Sequence, residues 1–333
     1  MQSEFAQAGA GKCATSVVIP VHNGAATINQ TLDSVLAQTV KPLEIVVVDD
    51  GSTDSTAQLL EEYGDRIAVL RQPNRGPSNA RNAGAAAVST RSKYLLFLDA
   101  DDALTPEMLG KLSTALESAP PAVLAYCDAA LTDVSGTRLG ANFIRSDRTH
   151  APSMDELLKK WWPILPSAAL LRRDAFMLSG GFAEDFQPNR ATAHGPATAQ
   201  GHEDVFLWLR MREQGEFRYV PEPLILYRVL PATGRISKYA SGFATFKRLV
   251  LARYGPAAQP LIRSCARFFA SAWGRAGLDA LARGDKREAR RAFVMAIRYR
   301  PDGLHRWLRL LRTFLPLWLA RSLSAKRASS RLG

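Results

Sequence analysis

Cysteine is scarce in this 333-residue chain: Cys13, Cys127 and Cys265 stand far apart, with no CxxC pair and no metal-ligand spacing. That excludes a disulfide scaffold and a cysteine-built zinc site, and it suits a reducing cytoplasm. No run reaches the ~18 uninterrupted apolar residues of a spanning helix. The opening "MQSEFAQAGAGK" lacks the basic start and apolar stretch of a secretion signal. No GxGxxG follows the first β-rich run, where "PVHNG" stands, which speaks against a nicotinamide-dependent dehydrogenase. Acidic residues are sparse in one region only: residues 253–333 hold 18 Lys/Arg against 4 Asp/Glu, while the preceding 252 hold 25 against 27. The formal charge of +12 therefore belongs to the C-terminal quarter, and no nucleic-acid partner is expected from it. With 47% apolar and 22% charged residues, the chain has the composition of a globular protein with one large domain, or a domain and an appendage.

What is present is an alternation. β-rich runs at "SVVIPV" (16–21), "EIVVV" (44–48), "RIAVL" (66–70), "YLLFL" (94–98) and "AVLAY" (122–126) are separated by segments of helical character at about 25–38, 54–63, 77–90 and 105–118. Thr105 before Pro106 supplies a cap and a first-turn proline. Such alternation predicts βαβ units, and strands apolar throughout predict helices on both faces. The expected fold class is α/β, a Rossmann-like, mainly parallel sheet. Ligands of such sheets sit at the carboxyl ends of the strands. "PVHNG" (20–24), "DDGSTD" (49–54) and "DADD" (99–102) are thereby expected along one rim.

Each cluster carries its own chemistry. In "DDGSTD", Asp50 ends a strand, Gly51 permits a tight turn, and Ser52, Thr53 and Asp54 can cap the next helix. A capped turn is the plain alternative to a carboxylate that receives hydrogen bonds from a nucleotide. In "DADD", Asp99 and Asp101 fall on one side of an extended chain; a solvated loop with Asp102 merely capping is the plain alternative, against which three mutually repelling acids beside a buried strand count. Carboxylates beside a buried strand are costly without a cation. Two of them together with substrate phosphates form a usual donor set for Mg2+ or Mn2+. "RQPNRGPSNARNAG" (71–84) brings Arg71, Arg75 and Arg81 to the same rim, with Arg81 the candidate for diphosphate contact and a solvated arginine the alternative. "KKWWPILPS" (159–167) offers Trp161 and Trp162 to a sugar or lipid acceptor, against core packing for at least one of them.

In this order and spacing, "PVHNG", "VVVDDGSTD", "NRGPSNARNAG" and "FLDADD", followed by "PSAALLRRDAF", "GGF" (180–182), "HEDVFLWLR" (202–210) and "YRV" (227–229), resemble the family 2 glycosyltransferases of GT-A fold. The likeness covers roughly residues 15–240. It implies that Asp50 contacts the nucleotide base, that Asp101 and Asp99 hold Mn2+ or Mg2+ and touch the ribose, and that Asp204, with Glu203 beside it, is the catalytic base. It also implies Pro20, His22, Asn23, Ser52, Arg81 and Ala100 around a nucleotide sugar, UDP-linked by default. An inverting single displacement would follow, with Asp204 taking the proton of the acceptor hydroxyl. The family often carries a His shortly after the Tyr-Arg pair; here Leu230 stands near that place, so phosphate contacts are expected to fall to Arg228, Arg235 or Lys238. Gly181 is a candidate acceptor contact, and the polar stretch 183–201, with His194, is expected as a mobile loop over the acceptor side. No QxxRW follows the Glu-Asp pair, which favours transfer of a single sugar to a saccharide or lipid-linked saccharide, in cell-surface polysaccharide or glycolipid assembly.

The expected organisation is a flexible N-terminus (1–14), a transferase domain (15–250, with a nucleotide half to about 127 and an acceptor half from about 128), and a basic helical annex (251–333). Within the annex, residues 276–303 resemble a single tetratricopeptide-type hairpin, which must pack on something. Residues 304–327 place Leu304, Trp307, Leu308, Leu311, Phe314 and Leu315 at helical spacing with Arg306, Arg309 and Arg312 elsewhere, before a kinking Pro316. That pattern suits an anionic membrane surface, or equally a last helix docked on the annex. The expected location is cytoplasmic, with peripheral contact at the inner face of the cell membrane. Two rival functions stand beside this one: a phosphotransferase of haloacid dehalogenase type, whose DxD belongs near the N-terminus with Thr after it, and a degenerate transferase kept for membrane docking.

Overall fold

Val17, Val18 and Ile19 send their side chains alternately to two sides, and that alternation sets up the two halves of the core. In the computed structural model, β1 (Thr15–Val21), β2 (Glu44–Asp49), β3 (Ala68–Arg71) and β4 (Tyr94–Phe97) lie in the order β3-β2-β1-β4, all parallel. Val18, Val46, Val48, Leu95 and Phe97 enter one apolar core, while Val17, Ile19, Ile45, Val47 and Leu96 enter the other. The structure describes residues 14–133, 135–144, 150–186, 202–229 and 232–314, with backbone alone for 232–241 and 312. The expectations for the N-terminal segment to residue 13, most of the 183–201 loop with His194, the side chains of Arg235 and Lys238, and Leu230, Leu315 and Pro316 lie outside the described residues.

The crossovers are α1 (Ile28–Leu36), α2 (Thr56–Glu61) and α3 (Pro77–Ala87). α1, α2 and α4 (Met108–Glu117) cover the second core through Ile28, Leu32, Leu60, Met108 and Leu112. Beyond β4 the chain forms β5 (Ala103–Leu104), β6 (Ala122–Thr132), β7 (Arg138–Asn142), α5 (Met154–Lys159), β8 (Ala169–Arg172), α6 (Arg173–Leu178), α7 (Glu203–Gln214) and β9 (Glu216–Arg228). β8 slots between β4 and β6, antiparallel to both. β9 runs parallel to β6, and the short β5 pairs antiparallel with β9. The α/β class with helices on both faces stands, its parallel half formed by β1 to β4 and its second half mixed. The helix before β8 is the six-residue α5, too short for a full crossover, so the chain re-enters the sheet in the opposite sense.

β4 and β5 flank residues 98–102, and β5 carries the chain across to the far end of β9. This connection brings "DADD" between the end of β1 and Arg228. The C-terminal helices are α8 (Ala232–Tyr254), α9 (Gln259–Ala282), α10 (Lys286–Tyr299) and α11 (Leu304–Arg312). Phe246, Val250, Leu261, Cys265, Phe269 and Trp273 from α8 and α9 belong to the same apolar core as Phe206 and Trp208 of α7. Cys127 and Cys265 are buried free thiols. Among the described residues, no helix is long and apolar enough to cross a membrane.

Candidate active site at the sheet edge

The ends of β1 and β2 are laced together. Asn23, in the left-handed region that its side chain tolerates, donates its N–H to Ser52 Oγ at 3.0 Å and accepts from the Thr53 N–H at 2.8 Å. The Gly24 N–H reaches Thr56 Oγ1 at 2.9 Å, and His22 Nδ1 lies 3.0 Å from the Asp50 carbonyl oxygen. Gly51 takes φ +75°, and a Cβ there would sit 2.8 Å from the Asn74 nitrogen, so the turn needs glycine. Pro20 is the penultimate residue of β1. The buried Asp50 carboxylate accepts from the Arg75 and Gly76 N–H groups at 2.8 Å each, and from Gln72 Nε2 at 2.7 Å. It shapes the loop that leads into α3.

The next cluster forms around α3 and the end of β4. Arg81 is buried; its Nη2 donates to Asp99 Oδ1 at 2.7 Å and its Nη1 to Glu203 Oε1 at 3.3 Å. Arg81 thereby spans two of the sequence's acidic motifs. The Asp99 N–H donates to Ser167 Oγ at 3.1 Å, and the Ala100 carbonyl is held by Thr27 Oγ1 at 2.7 Å and Thr31 Oγ1 at 3.0 Å. Carboxylate oxygens of Asp99, Asp101 and Asp102 lie within 4.8 Å of one another. Burial, and then the charges of Asp101 and Asp99, hold the Asp102 carboxyl well above the ordinary range. Three hard oxygen donors that repel one another fit Mg2+ or Mn2+ rather than a softer ion. Asp102 is buried and stands with the other two acids, not as a cap in a solvated loop. The plain sequence signal for it was adjacency alone.

Asp204 stands in the first turn of α7, where the helix dipole favours an acid, and Oδ1 accepts from the Val205 N–H at 2.7 Å. Burial above all, and then Glu203, push its carboxyl up to about 7, against the opposing pull of Val205 and Arg81. The residue before the pair, His202, takes φ 77° and is buried. Its ring lies against Phe246 and Phe269, with centroids at 4.8 and 4.5 Å. Nothing in "HED" alone signals that packing.

The remaining candidates separate. Gly181 sits beside Asn82, which donates to the Phe182 carbonyl at 2.8 Å and accepts the Phe182 N–H at 2.9 Å, tying "GGF" to α3. Arg228 is buried at the end of β9; its N–H faces Asp102 Oδ1 at 3.4 Å, its Nη2 donates to Gln30 Oε1, and its Nε and Nη1 have no partner among the described residues. Trp162 is a core residue, its Nε1 donating to Tyr126 Oη at 3.1 Å. Trp161 packs on Phe268 of α9 at 4.5 Å. Both tryptophans therefore join the sheet to the helical region. Ser167, Gln72 and Asn82 were not singled out as site residues in the sequence, because a hydroxyl or amide that supports a loop leaves no charge pattern to find.

Residues 16–178 match the family model described as Glycosyl transferase family 2. The minor teichoic acid biosynthesis protein GgaA of Bacillus subtilis (strain 168) is 39% identical over 101 residues, 28% of this chain and 23% of GgaA. The succinoglycan biosynthesis protein ExoW of Rhizobium meliloti (strain 1021) is 42% identical over 99 residues, 28% of this chain and 31% of ExoW. The chain thus spans less than half the length of these curated relatives. The crystal structure of S. aureus TarS 1-349 in complex with UDP is similar in fold, with a TM-score of 0.51 at 16% identity, covering 87% of this chain and 92% of that one.

Proposed function

We propose that the chain, whose residues 16–178 match the Glycosyl transferase family 2 model, moves one sugar, with inversion, from a nucleoside-diphosphate sugar to an acceptor hydroxyl. The observation that carries the reading is the convergence of Asp99, Arg81 and Glu203 in one linked group, with the Asp101–Asp102 pair on one side and Asp204 on the other. A donor-binding edge and a base are thereby joined through a single guanidinium. Uridine is the default base, in keeping with a TarS structure solved with UDP. The names of GgaA and ExoW favour a cell-envelope or extracellular polysaccharide, free or lipid-linked, as the acceptor. The chain would then work as a peripheral protein at the inner face of the cell membrane.

In this reading Asp99 and Asp101, with Asp102 beside them, would hold Mn2+ or Mg2+, which when bound would supply positive charge to the departing diphosphate. Pro20, His22, Asn23, Ser52 and Ala100 line the nucleotide side. Asp50 receives the base directly or through the 72–76 loop that it fixes. Arg228, whose Nε and Nη1 have no partner among the described residues, would offer them to an anionic group of the donor, with Lys238 as a second candidate contact. Arg81 positions Asp99 and Glu203. Asp204 accepts the acceptor's proton as its oxygen forms the new bond to the anomeric carbon, and the bond from that carbon to the diphosphate oxygen breaks on the opposite face.

A thermal-shift screen of nucleotides and nucleotide sugars, with and without Mn2+, tests this. One nucleoside diphosphate should raise the unfolding temperature in a metal-dependent manner, and Asp101→Ala should remove most of that rise. Equal stabilisation of the variant would count against the metal assignment. Measurable hydrolysis of a nucleotide sugar would dismiss the non-catalytic alternative, and a phospho-aspartyl intermediate trapped on Asp99 would revive the phosphotransferase one.

A further inference from the structure

α11 sits on the α9–α10 hairpin the wrong way round for a helix that only completes a core. The side it turns inward carries Arg306 and Thr313, both buried, and Leu310, which packs against Ala280, Ala289 and Phe293. Arg306 Nη1 donates to the Arg300 carbonyl at 3.3 Å, and Thr313 Oγ1 donates back to the Leu310 carbonyl at 2.7 Å. The side it turns outward carries Leu304, Trp307, Leu308, Leu311 and Phe314, which are 73%, 45%, 45%, 60% and 64% exposed. These positions repeat at spacings of three and four, so they form one stripe along the helix. A capping helix would bury such a stripe and leave its arginines in water. Contiguous exposed apolar surface of this kind marks an interaction site.

We propose that this outward stripe docks on the surface of an anionic lipid bilayer. Charge decides between occupants. Residues 303–333 contain seven Lys/Arg and no Asp/Glu. A second copy of the same segment would bring like charge against like charge, whereas anionic headgroups attract it. Trp, Phe and Leu on one face of a helix, within a segment whose only charges are basic, is the make-up of a helix that lies in the membrane interface. The sequence after the helix, "LPLWLARSLSAKR", continues the same mixture of apolar and basic residues. The proposal rests on the peripheral location proposed for the chain and supplies the surface responsible; it does not depend on which sugar is moved.

The test is co-sedimentation of the full chain with two kinds of vesicle, phosphatidylcholine alone and phosphatidylcholine with one-third phosphatidylglycerol. Binding is expected to the second kind only, and to weaken in half-molar NaCl as the charges are screened. The double variant Trp307→Glu/Leu311→Glu should lose about tenfold or more of that binding. It should keep the parent's nucleotide-induced shift, while its unfolding temperature falls only by what the bond from Trp307 Nε1 to the Pro301 carbonyl contributes. Should that variant fail to fold, Leu304→Glu at the most exposed position reads the same loss. Asp101→Ala should do the reverse, losing the nucleotide shift and keeping vesicle binding, which separates this proposal from that of sugar transfer. Parent protein that ignores phosphatidylglycerol vesicles, or a double variant that binds them like the parent, overturns it. So does a dimer in light scattering that the double variant dissolves without any lipid binding, since the stripe would then join two copies.

Discussion

Asp204 is the side chain on which the chemistry and the stability of the protein pull against each other. Its carboxyl is pushed up to about 7 by burial and by Glu203, and a base is most effective when its pKa lies near the working pH. Transfer should therefore rise with pH along a limb centred near 7, read as kcat/KM against pH. Asp204→Asn should lower transfer by ~10²–10⁴-fold while leaving the donor-induced thermal shift in place. Arg81→Gln removes the guanidinium that opposes this upward push, so the limb should move to higher pH. Stability runs the other way. A carboxyl whose pKa is higher folded than unfolded binds more proton in the folded state, so stability falls as pH rises from the unfolded value of 3.8 toward the folded one. Asp204→Asn should accordingly melt a few degrees above the parent at pH 8, with the gap closing below pH 4. Asp50, Asp99, Asp101 and Asp204 stand out as candidates in the sequence because each sits in a motif with its own spacing. Arg81 was legible as a rim arginine but not as the bridge from Asp99 to Glu203, since its two partners come from segments 18 and 122 residues away.

α3 is the element that turns these side chains into a site. Its Gly84 lies so close to the sheet that a Cβ would come within 2.3 Å of Val18 Cγ1 and 3.1 Å of Val48 Cγ2. The helix can then rest directly on β1 and β2, and Arg81 and Asn82, one turn earlier, reach Asp99 and "GGF". Gly84→Ala gains ~1 kcal/mol of helix propensity but overpacks that contact at ~1–3 kcal/mol. The expected result is a lower melting temperature together with a lower kcat, because α3 must lift away from the rim. Unchanged values of both would mean that Val18 and Val48 yield freely. β1, β2 and β4 could be read from the sequence because they are continuous apolar runs, buried on both helix-covered faces. β3 begins two residues later than "RIAVL" suggests, since Gly64–Arg66 is drawn into a short 3-10 turn. β8 escaped notice because "ALLR" is too short to carry a period, and a strand of that length takes its direction from its neighbours. β5 has two residues and exists only through its pairing with β9.

Composition divides the chain near residue 253, but packing does not. The basic annex shares one apolar core with the residues before it, in which Leu261, Cys265 and Phe269 meet Phe206, Trp208, Phe246 and Val250. The seam lies against the candidate base, because Phe246 and Phe269 enclose His202 immediately before Glu203 and Asp204. His202 holds a left-handed conformation that a non-glycine residue keeps only when its surroundings enforce it. The rings of α8 and α9 are those surroundings, so the annex positions the first turn of α7. Phe269→Ala should cost ~3–5 kcal/mol as a large-to-small core change, and it should lower kcat more than it alters KM, since donor contacts on β1, β2 and β4 lie on other elements. A simple stabilising role would lower the melting temperature and leave kcat intact at temperatures where the variant is folded. Calorimetry gives the companion reading. A shared core predicts one cooperative transition for the whole chain, moved as a unit by a bound nucleotide. Two transitions, with only one of them responding to nucleotide, would mean that the annex is a separate body and that His202 is held by α7 itself.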